Sequence, residues 1–439
     1  MGLEELGIPG VSIVQKGFVA DAKATAMAYR LINPSLAVTP YVFTALNAPQ
    51  TRQAADAIIE DIINGLTKAS AEPKGSVIER IPTRGPDDDV LEFRGKDYKE
   101  CFEKMNDAFL DWGWSDGFPL IPATKEAVEE MLRGTNRPPD ETIVEHFVPG
   151  MAQATVKNIA INAVMAGCKR EFLPVIIAAV EAMHDPAATS LRLCTMSTGP
   201  HAPLFVINGP VVNQLHINSG LCALGPAGPE RLSFPNIVIG RAVRLILMNV
   251  GNGYPGIMDQ DTIGSPAKFS MVVAENEKAN PWDPYHVEKG FASEDSTVSC
   301  FYGGSLTEMC DLESDSAEGL MNTFARHLTG IGAIGFKYLT PVILMAPDHA
   351  TVLARDGWTK EDVRQYLHLH CRISAETYRR SACVCNPPKK KWLEAADSQA
   401  MVHLYGKPED IQIVVVGGMS GQSAGFVSMD PANPHSIKG

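Results

Sequence analysis

Two short βα units at the beginning of the chain constrain its fold most strongly. Residues 10–14 and 36–42 are apolar runs of strand length, and residues 18–31 and 50–66 have helical periodicity. Such a βαβα unit contributes only two parallel strands, whereas parallel sheets are stable when further strands extend them and helices cover both faces. We therefore expect another element, from a partner chain or from the rest of this chain, to complete the sheet.

The remainder of the chain is predicted to be larger and to mix helices with strands. We expect residues 1–70 to form a partial α/β half-domain, residues 71–96 a linker rich in Pro, Gly and Asp, and residues 97–439 a large mixed α/β domain. No internal repeat is visible in the sequence. The predicted fold class is therefore α/β, with a partial parallel unit and a large mixed domain.

Composition limits the classes of partner. The 51 acidic residues outnumber the 38 basic ones and give a formal charge of −13, which disfavours a general nucleic-acid or anionic-membrane surface. No apolar run approaches the roughly 18 to 20 residues of a membrane span, and no signal segment is recognisable, so a cytoplasmic location is predicted. Nine cysteines in a chain of 439 residues favour free thiols over a disulfide framework.

Several short motifs between residues 95 and 300 include Gly, Pro, Asn or charged side chains. They are Asn162-Ala163-Val164-Met165-Ala166-Gly167-Cys168 with Pro174, Asp116-Gly117-Phe118-Pro119-Leu120, Asn208-Gly209-Pro210, Ile217-Asn218-Ser219-Gly220, Ile239-Gly240-Arg241-Ala242, Ala274-Glu275-Asn276-Glu277 and Pro281-Trp282. Together they resemble the UGSC family of (seleno)proteins.

That resemblance carries an implication about a partner. In the family, an N-terminal α/β domain holds a selenocysteine or cysteine followed by Gly-Ser-Cys, and the segment after it resembles residues 3–9 and 18–22 of this chain. No Cys-Gly-Ser-Cys occurs here. The resemblance therefore implies a split form, in which a separate small subunit brings the first strands and the thiol or selenol motif.

Cys168 is the thiol that we predict to be functional. It lies at a break between two apolar helices and is followed by Lys169 and Arg170, cations that favour a thiolate if they point toward the sulfur. Such a cysteine is a candidate nucleophile, metal ligand or resolving partner of a (seleno)thiol. The alternative is a small residue packed at a tight helix–helix turn.

Charged residues between positions 241 and 275 form a second group of candidates. Arg241 and Arg244 stand three residues apart on an apolar helix, and a buried guanidinium needs an acid partner or an anionic ligand. The candidate partners are Asp259, Asp261 and Glu275. These acids also suggest a hard-cation site, or general acid/base catalysis by Glu275 or Asp259, against the alternative of ordinary turn chemistry. Lys268 is predicted to hold an anionic substrate together with Arg241.

Three amides, Asn162, Asn208 and Asn218, are predicted to position a substrate, the alternative being that they only connect loops. Asn162 shares one face of an apolar helix with Asn158.

From these residues we predict the large subunit of a hetero-oligomeric enzyme, an oxidoreductase or lyase. It would use thiol- or selenol-dependent redox or covalent chemistry on a small anionic substrate. The alternatives are a metal-dependent hydrolase or hydratase, with a metal ion as cofactor at the subunit interface, and a non-catalytic scaffold for a thiol-bearing partner. The resemblance does not name a substrate.

Overall fold

A computed structural model describes residues 8–28, 31, 34–39, 46–67, 85–86, 90–186, 190–330, 340–381, 396–419 and 421–438. Helices and strands are mixed, which confirms the predicted α/β class. Within these residues, no helix combines the length and the apolar character needed to cross a membrane.

The N-terminal unit contains the predicted βαβα order. Strands β1 (Ser12–Gln15) and β2 (Leu36–Thr39) pair in parallel, and helices α1 (Val19–Ala28) and α2 (Ala48–Thr67) follow them. In the described part of the chain, these two strands form a sheet of their own. Five large apolar side chains of the unit stay exposed: Ile13, Val38, Ile59, Ile63 and Leu66.

Residues 90–438 supply the other elements. The helices are α3 (Tyr98–Asp111), α4 (Lys125–Leu132), α5 (Val156–Met165), α6 (Leu173–Met183), α7 (Leu191–Thr195), α8 (Val211–Gln214), α9 (Phe234–Asn249), α10 (Tyr285–Glu288), α11 (Ala317–Gly330), α12 (Pro347–Arg355), α13 (Lys360–His370) and α14 (Ala375–Ser381). The strands are β3 (Thr142–Phe147), β4 (Ala152–Thr155), β5 (Ala202–Asn208), β6 (Val272–Ala274), β7 (Thr297–Cys310), β8 (Thr340–Met345), β9 (Arg372–Ser374), β10 (Met401–His403), β11 (Gln412–Val415), β12 (Gln422–Ser428) and β13 (His435–Ser436).

The main sheet has two halves with the same strand arrangement. Its order is β11-β8-β12-β7-β5-β6, with β13 beside β7. In the first half, β5 pairs in parallel with the edge strand β6 and antiparallel with β7. In the second half, β8 pairs in parallel with the edge strand β11 and antiparallel with β12. The halves meet at the antiparallel pair of β7 and β12. The two halves therefore share a strand arrangement that no repeat in the sequence indicates.

The sheet curves so far that its two edges approach each other. The backbone N–H of Asn276, just after β6, donates to the carbonyl of Val415 on β11 across 2.7 Å. Alternate residues face opposite sides, as the pleat requires. Leu204 and Val206 of β5 join Val342 and Leu344 of β8 in the core enclosed by the curved sheet. The opposite face of the sheet is covered by helices in two further clusters, one around α5, α6 and α9 and the other around α11 and α13.

Helix α9 positions the charged residues discussed below. Its sequence is apolar almost throughout, so it is buried against α5, α6 and β6. Pro235 occupies the first turn, where a missing N–H costs nothing. Arg241 and Arg244 are the two cations on this helix, and the loop after it brings Asp259 and Asp261 back toward it.

Candidate functional site

Arg241 is paired with an acid that the sequence did not suggest. Its Nε donates to Asp116 Oδ2 at 2.8 Å and its Nη2 to Oδ1 at 2.9 Å, while Nη2 also reaches the carbonyls of Phe118 and Pro119 at 3.1 Å each. The Asp116 side chain is 1% exposed. The prediction that Arg241 pairs with Asp259, Asp261 or Glu275 is therefore wrong, and its contacts favour the structural ion pair over a substrate contact.

Cys168 lies close to Arg241, but its environment favours the thiol. Its Sγ donates to the carbonyl of Val238 across 3.2 Å. Burial raises the pKa of Cys168, and the charge of Arg241 opposes that rise only in part. Arg170, which was expected to favour a thiolate, instead pairs with Glu130 at 2.6 Å and Glu171 at 3.2 Å. These contacts argue against a thiolate at Cys168 near neutral pH.

Glu275 belongs to a different place in the fold. It lies directly after β6, fully buried, and accepts hydrogen bonds from Asn208 Nδ2 at 2.5 Å, Asn280 Nδ2 at 2.8 Å and the backbone N–H of Tyr285 at 2.6 Å. Burial raises the pKa of Glu275, although these donors and Lys360 oppose the rise. The expectation that Glu275 shares a site with Asp259 is therefore wrong, and Glu275 and Asn208 together fix the loop that leads to α10.

Asn162 and Asn218 connect loops and helices. Asn162 on α5 accepts from Asn249 Nδ2 at 2.9 Å and donates to the carbonyl of Asn158 at 2.8 Å. Asn218 donates to the carbonyl of Leu221 and to Ser233 Oγ, both at 2.8 Å. The alternative interpretation, in which the amides organise the chain itself, is favoured by these contacts.

The remaining predicted residues, Asp259 and Lys268, lie together in a compact group of buried charges. Lys268 Nζ is 2.6 Å from Asp259 Oδ2 and 2.6 Å from Asp261 Oδ2. Arg244 Nη1 is 3.8 Å from the same Asp259 oxygen. Each of these four side chains is less than one-tenth exposed.

A fifth charged residue comes from the N-terminal unit. Asp21, in the first turn of α1, is 7% exposed, and neither of its carboxylate oxygens has a hydrogen-bond partner among the described residues. Burial, assisted by the negative charge of Asp259, raises the pKa of Asp21 from 3.8 to about 7. We call Asp21, Arg244, Asp259, Asp261 and Lys268 the buried charged cluster.

The charges of the cluster also affect the pKa values of two further side chains, Cys194 and His201. Cys194 on α7 is buried, and burial raises its pKa despite the nearby Lys268. Burial lowers the pKa of His201, although the backbone of Gly199 and the charge of Asp261 partly oppose this effect. Both groups are therefore expected to be neutral at pH 7. Within the cluster, burial raises the pKa of Asp261 as well as that of Asp21, and Lys268 opposes the rise at Asp261.

The cluster has the properties of an acid/base site. A carboxyl group with a pKa near 7 donates and accepts protons at physiological pH with little cost in either direction. Strong pKa shifts caused by burial together with a specific charge are typical of functional sites. The sequence offered only a weak signal for Asp21, a single acid in the first turn of an Ala-rich helix, because its neighbour Asp259 is distant along the chain.

The same cluster bears on the predicted metal site. Lys268 already lies between Asp259 and Asp261 and supplies the positive charge that a cation bound to both carboxylates would bring. Within the described residues, no group of three or more His, Cys, Asp and Glu side chains is placed to hold a metal ion.

Comparisons of the chain with protein-family models, with curated proteins and with solved structures found no match. The resemblance to the UGSC family thus stays a prediction.

Proposed function

We propose that the chain is the large subunit of an enzyme whose active site is the buried charged cluster, and that this site acts on a small anionic molecule by proton transfer. The observation that carries the proposal is Asp21, a buried carboxyl group without a hydrogen-bond partner in the described chain, whose pKa is raised by burial and by the charge of Asp259, the acid that Lys268 holds. Burying such a group unpaired costs free energy. Titratable groups that are buried at such a cost in free energy are common in active sites.

Four members of the cluster, Asp21, Asp259, Asp261 and Lys268, have chemical roles in this proposal. Asp21 takes a proton from the bound molecule when it is ionised and returns a proton when it is protonated, which its pKa of about 7 permits. Asp259, held by Lys268, keeps the pKa of Asp21 high through its negative charge. Lys268 and Asp261 fix this arrangement from the loop side.

The thiol or selenol of the proposed enzyme comes from the partner subunit. The thiol of Cys168 is half-buried and donates to the carbonyl of Val238, and its raised pKa makes it poorly suited to nucleophilic attack. We infer that a small subunit with Cys-Gly-Ser-Cys, or its selenocysteine form, extends the two-stranded sheet of β1 and β2. The exposed apolar side chains on these strands and on α2 support this location, because such surfaces are usually covered in a stable parallel sheet. A partner there would lie beside α1, which carries Asp21.

The proposal is tested by turnover in the complete protein. The full chain, purified with its associated small subunit, is incubated in D₂O with pyruvate, lactate, malonate and succinate, and proton NMR follows deuterium exchange and product formation. Asp21→Asn should lower the rate of the active substrate about 100-fold or more, the usual size of a general acid/base contribution. Asp56→Asn, an exposed acid on α2, is the matched control. Unchanged turnover in Asp21→Asn would refute the proposal.

A further inference from the structure

Arg244 differs sharply from its neighbour Arg241 on the same helix. Its side chain is 8% exposed, and its only ion pair with a described residue is the 3.8 Å approach to Asp259. No hydrogen bond links its guanidinium to any described residue, whereas Arg241 makes four. Charge-assisted hydrogen bonds between a guanidinium and a carboxylate are about 2.7 to 2.9 Å long, so Asp259 does not satisfy the donors of Arg244.

The position of Asp259 explains why it does not satisfy the hydrogen-bond donors of Arg244. The Asp259 oxygen that faces Arg244 is the same one that lies 2.6 Å from Lys268, so the shorter contact holds it away from the guanidinium. Burial lowers the pKa of Arg244, which is the signature of a cation removed from water without full compensation. A buried cation whose donors remain unused is costly, and an external anion is the natural group to use them.

We propose that Arg244 binds the carboxylate of the substrate through its planar guanidinium. This inference rests on the proposed function in one respect, which is that the carboxylate belongs to a substrate bound beside Asp259 and Asp21. A singly charged, planar carboxylate matches the fork of donors that a guanidinium presents. The negative charges of three acids, Asp259, Asp116 and Asp261, act on Arg244, and they oppose a doubly charged phosphate more strongly than a carboxylate.

This assignment also revises which cations hold the substrate. Arg241 is engaged by Asp116 and two backbone carbonyls, and Lys268 is engaged by two carboxylates. Arg244 is the cation of the buried charged cluster whose hydrogen-bond donors remain available. The ligand class is therefore a small monocarboxylate or the carboxylate end of a longer molecule.

The test uses acetate as the probe and needs no turnover. Isothermal titration of the full-length protein with acetate should give saturable binding, and Arg244→Met should weaken it about tenfold or more, because the charge and both donors are lost. Arg244→Lys should recover only part of the affinity, since a point charge does not reproduce the bidentate contact. Arg94→Met, at an exposed arginine, is the matched control and should bind as the wild type does.

Thermal unfolding separates a folding defect from a binding defect. Methionine is an apolar replacement for a poorly compensated buried cation, so Arg244→Met should remain folded. Acetate should raise the Tm of the wild type and of Arg94→Met but not that of Arg244→Met. Equal acetate affinity in the wild type and Arg244→Met would overturn the inference, and so would inorganic phosphate binding at Arg244 more tightly than acetate. Because the acetate titration of Arg244→Met needs no turnover, a catalytically unaffected Asp21→Asn variant would refute the proposed function and leave this result intact.

Discussion

Asp21 is a buried carboxyl group on which the negative charge of Asp259 acts, and burial together with that charge raises the pKa of Asp21 to about 7. This relationship links α1 to the loop after α9.

The stability of the protein should therefore depend on pH through Asp21. Its folded pKa is raised from 3.8, so between about pH 4 and pH 7 the folded state binds more protons than the unfolded state and the free energy of unfolding falls as the pH rises. Asp21→Asn should lack this fall. The free energy of unfolding of Asp21→Asn minus that of the wild type should therefore increase by at most about 1.4 kcal/mol per pH unit in that window. Above about pH 7 the difference should stay constant. Urea unfolding at several pH values measures the difference. A parallel pH dependence in the wild type and Asp21→Asn would contradict the prediction, with Asp56→Asn as the control.

Removal of Lys268 should be strongly destabilising. Lys268→Met leaves the carboxylates of Asp259 and Asp261 buried without their close cation, and breaking a buried pair in this way costs about 3 to 5 kcal/mol. Urea unfolding of Lys268→Met gives the value. Lys278→Met, at an exposed lysine, should stay within about 0.5 kcal/mol of the wild type. A loss of less than about 1 kcal/mol in Lys268→Met would mean that the ion pairs contribute little.

The cysteines should differ widely in reactivity. Burial raises the pKa of Cys168 and Cys194, so both should resist iodoacetamide at pH 7.5 in the native protein. Cys222 and Cys310 are exposed and should react first. Mass spectrometry of the alkylated peptides ranks them, with the unfolded protein as the control for equal labelling. Cys168→Ser should retain turnover in the complex, and a complete loss of turnover in a folded variant would restore the catalytic interpretation.

The exposed apolar side chains of α2 should matter for assembly rather than for folding. Ile59→Lys and Ile63→Lys change exposed positions, so they should leave the Tm of the isolated chain almost unchanged and weaken capture of the small subunit. The measurement is co-purification with a tagged chain, followed by mass spectrometry for a subunit with Cys-Gly-Ser-Cys or its selenocysteine form. Thr51→Lys, also exposed on α2 but polar, is the control. Undiminished capture by the double Ile59→Lys/Ile63→Lys variant would place the partner elsewhere.

Local patterns in the sequence sufficed for much of the secondary structure. The βαβα order of the N-terminal unit, the buried helix α9 and strands β5, β8 and β11 follow from apolar periodicity, because that pattern reports how each short segment is buried. Strands β7 and β12 show the limit of such local patterns. Both contain Gly and Ser, and their stability comes from neighbours on both sides rather than from their own composition.

The sequence by itself determined that buried arginines and acids are present and need partners. Only the tertiary structure decided which of them meet. Arg241 pairs with Asp116 rather than with Asp259, and the charge of Asp259 acts on Asp21, because chain topology brings together residues that no local period relates. The curved sheet with its two matching halves was decided in the same way, since the pairing of β7 with β12 depends on hydrogen bonds between segments far apart in the chain.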